Sequence, residues 1–375
     1  MRLWLEWRNN MKAAVITLHN VCNYGTQLQV YATQEKLKQY FDDVVFIDYR
    51  RPDTYGKKFL DTFIKGNILK VPVILPTLVY WKHIFGGFQK KYIKISAKKY
   101  LHEKDFNEFD DCADVYFSGS DQVWNTGWNH GIIPPFYLSF VPEGKAKYAY
   151  ASSFGMTFLK PEDVAASQSY IRRFQKISVR EESGIDILQK QYGFENVIRI
   201  MDPTLTMPAE FWRKHAPASK IKERYILIYN LNRSREFDEY AAELSRRTGL
   251  PLYRFCTRFD QVLRNGRSII IPEIFEFVTL IDYADMVLTD SFHATAFSMN
   301  LETEPVCIYP TNYAGRISEF LKLVQSEQRR VISYRDFDIL NRPVDFGKVQ
   351  RILLQERKKV DVFLTEIVKE VSLSW

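Results

Sequence analysis

From residue 13 onward, short runs of β-branched and aromatic residues alternate with longer stretches whose apolar positions recur every three to four residues. Parallel strands joined by crossover helices produce this alternation, because a strand buried on both faces reads as a short apolar run and its covering helix as an amphipathic one. The run over 13–18 predicts a first strand. Residues 26–40, with Leu28, Val30, Tyr31 and Leu37 at helical spacing, predict a helix, and 44–49 a returning strand. Strands over 115–118, 148–152, 177–180 and 197–201 complete one sheet. A passage punctuated by Pro203, Pro208 and Pro217 then separates this set from a fresh strand over 225–229. The second set repeats the logic, with helices over 234–248 and 274–283 and strands over 252–255, 286–289 and 306–308. The stretch 349–371 keeps Leu353, Val360, Phe363, Leu364 and Ile367 largely on one face, predicting a final helix that packs across a domain. The expected architecture is therefore α/β, with two Rossmann-like, doubly wound domains, 12–206 and 207–375, facing across a cleft.

A chain of 375 residues with 46% hydrophobic content has apolar material for two cores. Its formal charge of +7 comes from Lys and Arg scattered among nearly as many acids, which argues against nucleic acid and for small anions or an anionic membrane leaflet. Cys22, Cys112, Cys256 and Cys307 lie far apart without metal-ligand spacing, which fits reduced thiols and a cytoplasmic protein. The first ten residues, with Trp4 and Trp7 between charges, lack the apolar core of a secretion signal. Met11 stands just before the first strand, so Met1 and Met11 are both open as the start. The apolar stretch 68–81 is shorter than the ~20 residues a bilayer crossing needs and carries Lys70, Pro72 and Pro76. It reads either as a buried or interdomain segment, or as an interfacial patch beside Lys82, Lys90 and Lys91 that brings the protein to the inner membrane face as a peripheral contact.

In open α/β sheets ligands sit beyond the carboxyl ends of strands, so the residues just after each predicted strand are the candidates for chemistry. After the first comes His19-Asn20-Val21-Cys22-Asn23-Tyr24-Gly25-Thr26, where Gly25 permits a tight turn and the following helix offers N–H groups to an anion; a plain strand-to-helix turn reads the same. Ser118-Gly119-Ser120-Asp121-Gln122-Val123-Trp124-Asn125 follows another strand. There the small residues admit ligand and Asp121 is a candidate general base, the alternative being helix capping by Ser120 or Asp121. Arg180 ends an apolar strand, where its fork is suited to a phosphate or carboxylate; the alternative is a salt bridge to Glu181 or Glu182. In Asp290-Ser291-Phe292-His293-Ala294-Thr295, Ser291 caps a helix and His293 falls in its first turn, beside N–H groups suited to phosphate, a position that favours function over a purely structural histidine. The Gly-rich dinucleotide fingerprint, Walker loop, zinc-protease motif and nucleophile elbow are all missing. Asp336-Phe337-Asp338 has an acid-x-acid form too short to assign a metal, so none is expected.

Taken together, these clusters resemble the polysaccharide pyruvyl transferase family: Asn23-Tyr24-Gly25 with Leu28, Gln29, Tyr31 and Ala32, Ser118 through Asn125, Ser178-Val179-Arg180-Glu181, Asp202-Pro203-Thr204 and Ser291-Phe292-His293 occur in its order and spacing, with a weaker echo at Arg316-Ile317. Ala294 and Thr26 stand where the family usually has glycine and alanine. The resemblance implies a GT-B-like fold and a reaction that moves a pyruvyl group from phosphoenolpyruvate onto two hydroxyls of one sugar, as a cyclic ketal, in an exopolysaccharide or capsule repeat unit. The donor is a substrate, so no cofactor is implied. Its phosphate and carboxylate call for cations and helix N–H groups, which Arg180, His293, Arg316 and the Ser291 helix end supply, with Asn23, Gly25, Gly119 and Ser120 at the other strand ends. His293 and Asp121 take the acid and base roles in either order, and Arg180 and His293 are expected to converge on one donor. The acceptor is a saccharide, lipid-linked or free. The rival reading is a GT-B-type glycosyltransferase with a nucleotide-sugar donor, since fold alone does not fix function; a silent glycan-binding protein fits less well because acid, base and guanidinium are all present.

Overall fold

The computed structural model describes residues 10–64, 71–110, 113–232, 234–309 and 315–373. Trp4, Trp7, residues 68–70 and Cys112, which entered the sequence reading, lie outside them. The chain divides into two compact units, one comprising residues through Thr62, Gln89–Thr206 and those from Glu356 on, the other Phe63–Phe88 and Met207–Gln355.

In the first unit, β1 (Lys12–Ile16), β2 (Asp43–Tyr49), β3 (Ile95–Tyr100), β4 (Val115–Ser118), β5 (Ala146–Ser152), β6 (Lys176–Val179) and β7 (Val197–Arg199) form a seven-stranded sheet in the order β3-β2-β1-β4-β5-β6-β7. Every pairing in it is parallel. In the second, β8 (Ile226–Tyr229), β9 (Leu252–Cys256), β10 (Arg267–Ile270), β11 (Met286–Thr289) and β12 (Glu304–Cys307) form a five-stranded parallel sheet in the order β10-β9-β8-β11-β12. Central strands such as β4 and β8 are buried at every residue, which is why they read as continuous apolar runs. The edge strands β3 and β10 escape the apolar pattern because they are largely exposed and carry Lys98, Lys99, Arg267 and Ser268.

The expected division at residue 206 is crossed twice. Residues 63–88, expected in the first domain, belong to the second unit. The helix Val71–Tyr92 buries Ile74, Trp81, Ile84, Phe85 and Phe88. Trp81 Nε1 donates to Thr257 O at 2.7 Å, and the Phe88 ring packs on Phe275 with centroids 5.3 Å apart. The final helix, Phe346–Leu373, starts in the second unit and joins the first from Glu356 onward. There Asp361 accepts from Lys36 and from Tyr40 OH, and Glu370 accepts from Tyr148 OH at 2.8 Å. An apolar stripe announces that a helix must pack, but not which of two cores receives it. Among the described residues, no helix is long and apolar enough to cross a membrane.

Candidate functional site

A doubly wound sheet has one point where the chain reverses its direction of travel across the sheet, and the crevice beyond the strand ends there is where ligands bind. In the first sheet the reversal falls between β1 and β4, in the second between β8 and β11. Ile16 pairs with Ser118 and Thr289 with Tyr229, so the ends of each pair are level. The segments leaving these strands are 17–26 and 119–125 in the first unit, 230–232 and 290–293 in the second. Three of the four carry the motifs singled out in the sequence.

In the first unit the helix Tyr24–Leu37 is capped by Asn23, whose side chain accepts from Thr26 N at 3.2 Å. Gly25, expected in the turn, is the second residue of that helix. At the neighbouring strand end, a Cβ on Gly119 would lie 2.9 Å from Thr17 Cβ and 3.0 Å from Val15 Cγ1, so glycine is required for the approach of β4 to β1. Asp121 takes a left-handed conformation with φ 71°, unusual for a residue with a side chain. Its backbone carbonyl accepts from Val123 N at 2.8 Å and Ser153 N at 3.1 Å, which holds the turn. Its carboxylate accepts from Thr26 Oγ1 at 2.9 Å and Gln122 N at 3.0 Å. Neither Ser120 nor Asp121 caps a helix; the short helix that follows, Thr126–Asn129, is capped by Asn125. Among the described residues, the buried Ser120 hydroxyl has no hydrogen-bond partner.

Arg180 lies among carboxylates of its own unit. Its guanidinium lies 2.5 Å from Asp202, 3.4 Å from Glu181 and 3.5 Å from Asp121, almost wholly shielded from solvent. The salt bridge to Glu181, the alternative in the sequence, is thus part of a larger cluster in which three carboxylates face one guanidinium. Burial by itself depresses the guanidinium, but the charges of Asp202, Glu181 and Asp121 override it and hold Arg180 above its ordinary value. Asp202 also accepts from Thr204 N at 2.9 Å and Thr204 Oγ1 at 2.6 Å, and Glu181 from Ser153 Oγ at 2.8 Å. An irregularity in β5, with Ala151 at φ 52° and a register shift before Ser152, brings Ser153 to this cluster. Sequence reading missed Ser153, as it missed Gly155, whose φ of 60° strains any residue with a Cβ and whose Cβ would push aside the ends of Gln122 and Asn125. With more acid than base, this end of the first sheet suits a neutral hydroxylated molecule and proton transfer better than an anion.

Beside it, His19 Nε2 contacts Asp48 Oδ1 at 3.1 Å, and Arg50 Nε donates to the same oxygen at 2.8 Å. Burial pushes the Asp48 carboxyl up, and the hydrogen bonds from His19 and Arg50 outweigh it, leaving Asp48 at about 2. Cys22 is half-buried, and burial pushes its thiol up to about 12, which favours the neutral thiol there.

In the second unit the helix Phe292–Leu301 begins at Ser291, whose hydroxyl accepts from Ala294 N at 3.4 Å. His293 is its second residue and is buried. The Arg316 guanidinium lies 5.7 Å from the centroid of the Phe292 ring, which brings a cation to the start of this helix from a segment over twenty residues later. Asp290 accepts from Leu231 N at 2.7 Å, Asn232 N at 2.8 Å and Asn232 Nδ2 at 2.9 Å. It thereby pins the loop after β8 beside the helix start. Burial raises the Asp290 carboxyl and those three bonds only partly oppose it. A helix N-terminus with an imidazole and a guanidinium suits an anion. The predicted residues therefore gather in two sets, Asn23, Gly25, Gly119, Ser120, Asp121 and Arg180 in the first unit, Ser291, His293 and Arg316 in the second. Asp336, of the acid-x-acid pair, is held by Arg342 at 2.6 Å. Among the described residues, no group of three or more His, Cys, Asp and Glu is placed to hold a metal ion.

A sequence profile described as polysaccharide pyruvyl transferase matches residues 23–312. No curated protein matches the chain. Among solved structures, the UDP-GlcNAc 2-epimerase of Methanocaldococcus jannaschii is similar at 11% identity over 95% of this chain and 100% of that one, with a TM-score of 0.53. A UDP-glucosyltransferase from Polygonum tinctorium is similar at 9% identity over 98% and 99% of the two chains, with a TM-score of 0.51. These likenesses establish the GT-B type of fold, two parallel-sheet α/β domains, and nothing finer.

Proposed function

Since the chain belongs to the polysaccharide pyruvyl transferase family, we propose that it moves a pyruvyl group from phosphoenolpyruvate onto two hydroxyls of one sugar in an exopolysaccharide or capsule repeat unit. The observation that carries this reading is the start of the helix Phe292–Leu301, where His293 and Arg316 stand at the positive end of the helix dipole. Such a site accepts phosphate and carboxylate. In the reaction a proton adds to the methylene carbon of the donor, using the double-bond electron pair, and leaves an oxocarbenium-like centre at the neighbouring carbon. One sugar hydroxyl attacks that carbon, phosphate departs with the bridging oxygen, and the second hydroxyl closes the ketal. Of the two hydroxyl protons, one balances the new methyl group and the other leaves with phosphate. Asp121 and His293 serve as base and acid in either order. Thr26 and Arg180 hold Asp121 in place. Arg180, spent on three carboxylates, is a positioning residue here and not a donor ligand.

No step draws on a divalent cation, so EDTA is expected to leave turnover unchanged. A cytoplasmic location goes with this reading, where thiols such as Cys256 and Cys307 stay reduced. Thermal shift against phosphoenolpyruvate and a panel of nucleotide sugars tests the donor. A rise in Tm with phosphoenolpyruvate alone, followed by phosphate release on adding a saccharide acceptor, is the expected result. A rise with a nucleotide sugar alone, or activity lost to EDTA and restored by magnesium, would replace it with the glycosyltransferase reading.

A further inference from the structure

The helix Val71–Tyr92 carries apolar residues on two faces. Ile74, Thr77, Trp81, Ile84, Phe85 and Phe88, which recur along one side of the helix, are buried. Thr77 Oγ1 accepts from Phe259 N at 3.2 Å, and the Tyr80 ring meets that of Phe259 at 5.7 Å, so the inward side already has its partner in the second unit. The outward side of the first half is nonetheless apolar, with Leu75 47%, Val79 69% and Tyr80 46% exposed. Pro76 lies among them, also exposed. In the loop packed against the helix, Leu263 is 94% exposed. Farther along the outward side come Lys82, His83, Lys90 and Lys91, all exposed. The helix contains no Asp or Glu at all, and the nearby Asp260 is already paired with Arg258 at 2.9 Å.

We propose that this face is a docking surface for an anionic lipid bilayer, with Leu75, Val79 and Tyr80 entering the headgroup region and Lys82, Lys90 and Lys91 meeting the lipid phosphates. Shallow insertion of an apolar helix face flanked by lysines is how interfacial helices bind. The long lysine stems reach polar headgroups while their helix lies in the apolar boundary. A second copy of the chain is the poorer occupant. A two-fold contact through this face would oppose its own lysines, with no acid on the helix to pair them. The surface brings the protein to a membrane without crossing it, and its test does not depend on the transfer chemistry.

Sedimentation of the full chain with phosphatidylglycerol-containing vesicles, against phosphatidylcholine alone, decides the matter. Wild type is expected to sediment with the anionic vesicles at low salt and to lose roughly tenfold in partition at physiological salt. The double variant Leu75→Glu/Val79→Glu is expected to lose on the order of tenfold or more. Both positions are exposed, and circular dichroism should match wild type; Lys82→Glu supplies a second, single-site variant. Leu354→Glu, at an exposed apolar position on another helix, should leave partition unchanged. Absence of wild-type binding at low salt would overturn the proposal. So would equal partition of wild type and Leu75→Glu/Val79→Glu, or a dimer in light scattering that these variants dissolve while lipid partition stays as it was.

Discussion

The Thr26 hydroxyl donates to Asp121 Oδ2 across 2.9 Å, joining two motifs that lie 95 residues apart in the chain. Thr26 stands at the start of the helix Tyr24–Leu37, so this hydrogen bond holds the Asp121 carboxylate against that helix. Losing one hydrogen bond to a charged acceptor costs on the order of 1 kcal/mol, so Thr26→Ala is expected to lower kcat/KM several-fold. Thr26→Ser should restore it. Unchanged kcat/KM in Thr26→Ala would make the contact incidental. Asp121→Asn should cost on the order of a hundredfold or more.

Arg180 ties the ends of β4 and β6 to Asp202 beyond β7, so its loss should register first as stability. Arg180→Met leaves three carboxylates crowded without a counter-charge, and a cost of roughly 3–5 kcal/mol in urea unfolding is expected. Arg180→Lys keeps the charge but not the fork and should cost about 1–3 kcal/mol. Adding Asp202→Asn to Arg180→Met should recover part of the loss, a coupling that a double-mutant cycle reads directly. Unchanged stability with weakened phosphoenolpyruvate binding would return Arg180 to the donor.

His293 and Arg316 are expected to separate kinetically. In the proposed reaction His293→Ala would remove a phosphate contact together with a proton-transfer group, and it should lower kcat on the order of a hundredfold even at saturating donor. Arg316→Ala removes charge alone, and its main effect should be a rise in donor KM of roughly tenfold. Near-normal turnover in His293→Ala would make the histidine structural and the site assignment wrong.

Asp48 links stability to acid. Its carboxyl is held at about 2, below the ordinary value of about 3.9, so the folded state binds its proton less readily than the unfolded chain. The resulting stabilisation is complete above the unfolded value and disappears as pH falls from about 4 through about 2. Wild type should exceed Asp48→Asn by about 2 kcal/mol near neutrality, with the gap closing over that acid range in pH-dependent denaturation. A gap independent of pH would assign the effect to packing instead.

Much of this protein was legible in one dimension. Runs such as Val115–Ser118 and Met286–Thr289 marked strands because a buried parallel strand has no polar face to show. Ser291 as a cap and His293 in the first turn followed from local chemistry that a helix start imposes wherever it lies. Contacts between distant segments were not legible. Three strand ends and an irregular β5 had to meet before Arg180 could face Asp121, Glu181 and Asp202, and nothing near Arg180 in the chain distinguishes a fork aimed at a ligand from one aimed at three carboxylates. The edge strands β3 and β10 were hidden because half-exposed strands need no apolar run. The sequence by itself determined which segments must be buried and which residues stand at strand ends, since both depend on local composition and period. Only the tertiary structure decided that Val71–Phe88 packs in the second unit, that the end of the last helix packs in the first, and which charges Arg180 neutralises, because each depends on surfaces far apart in the chain.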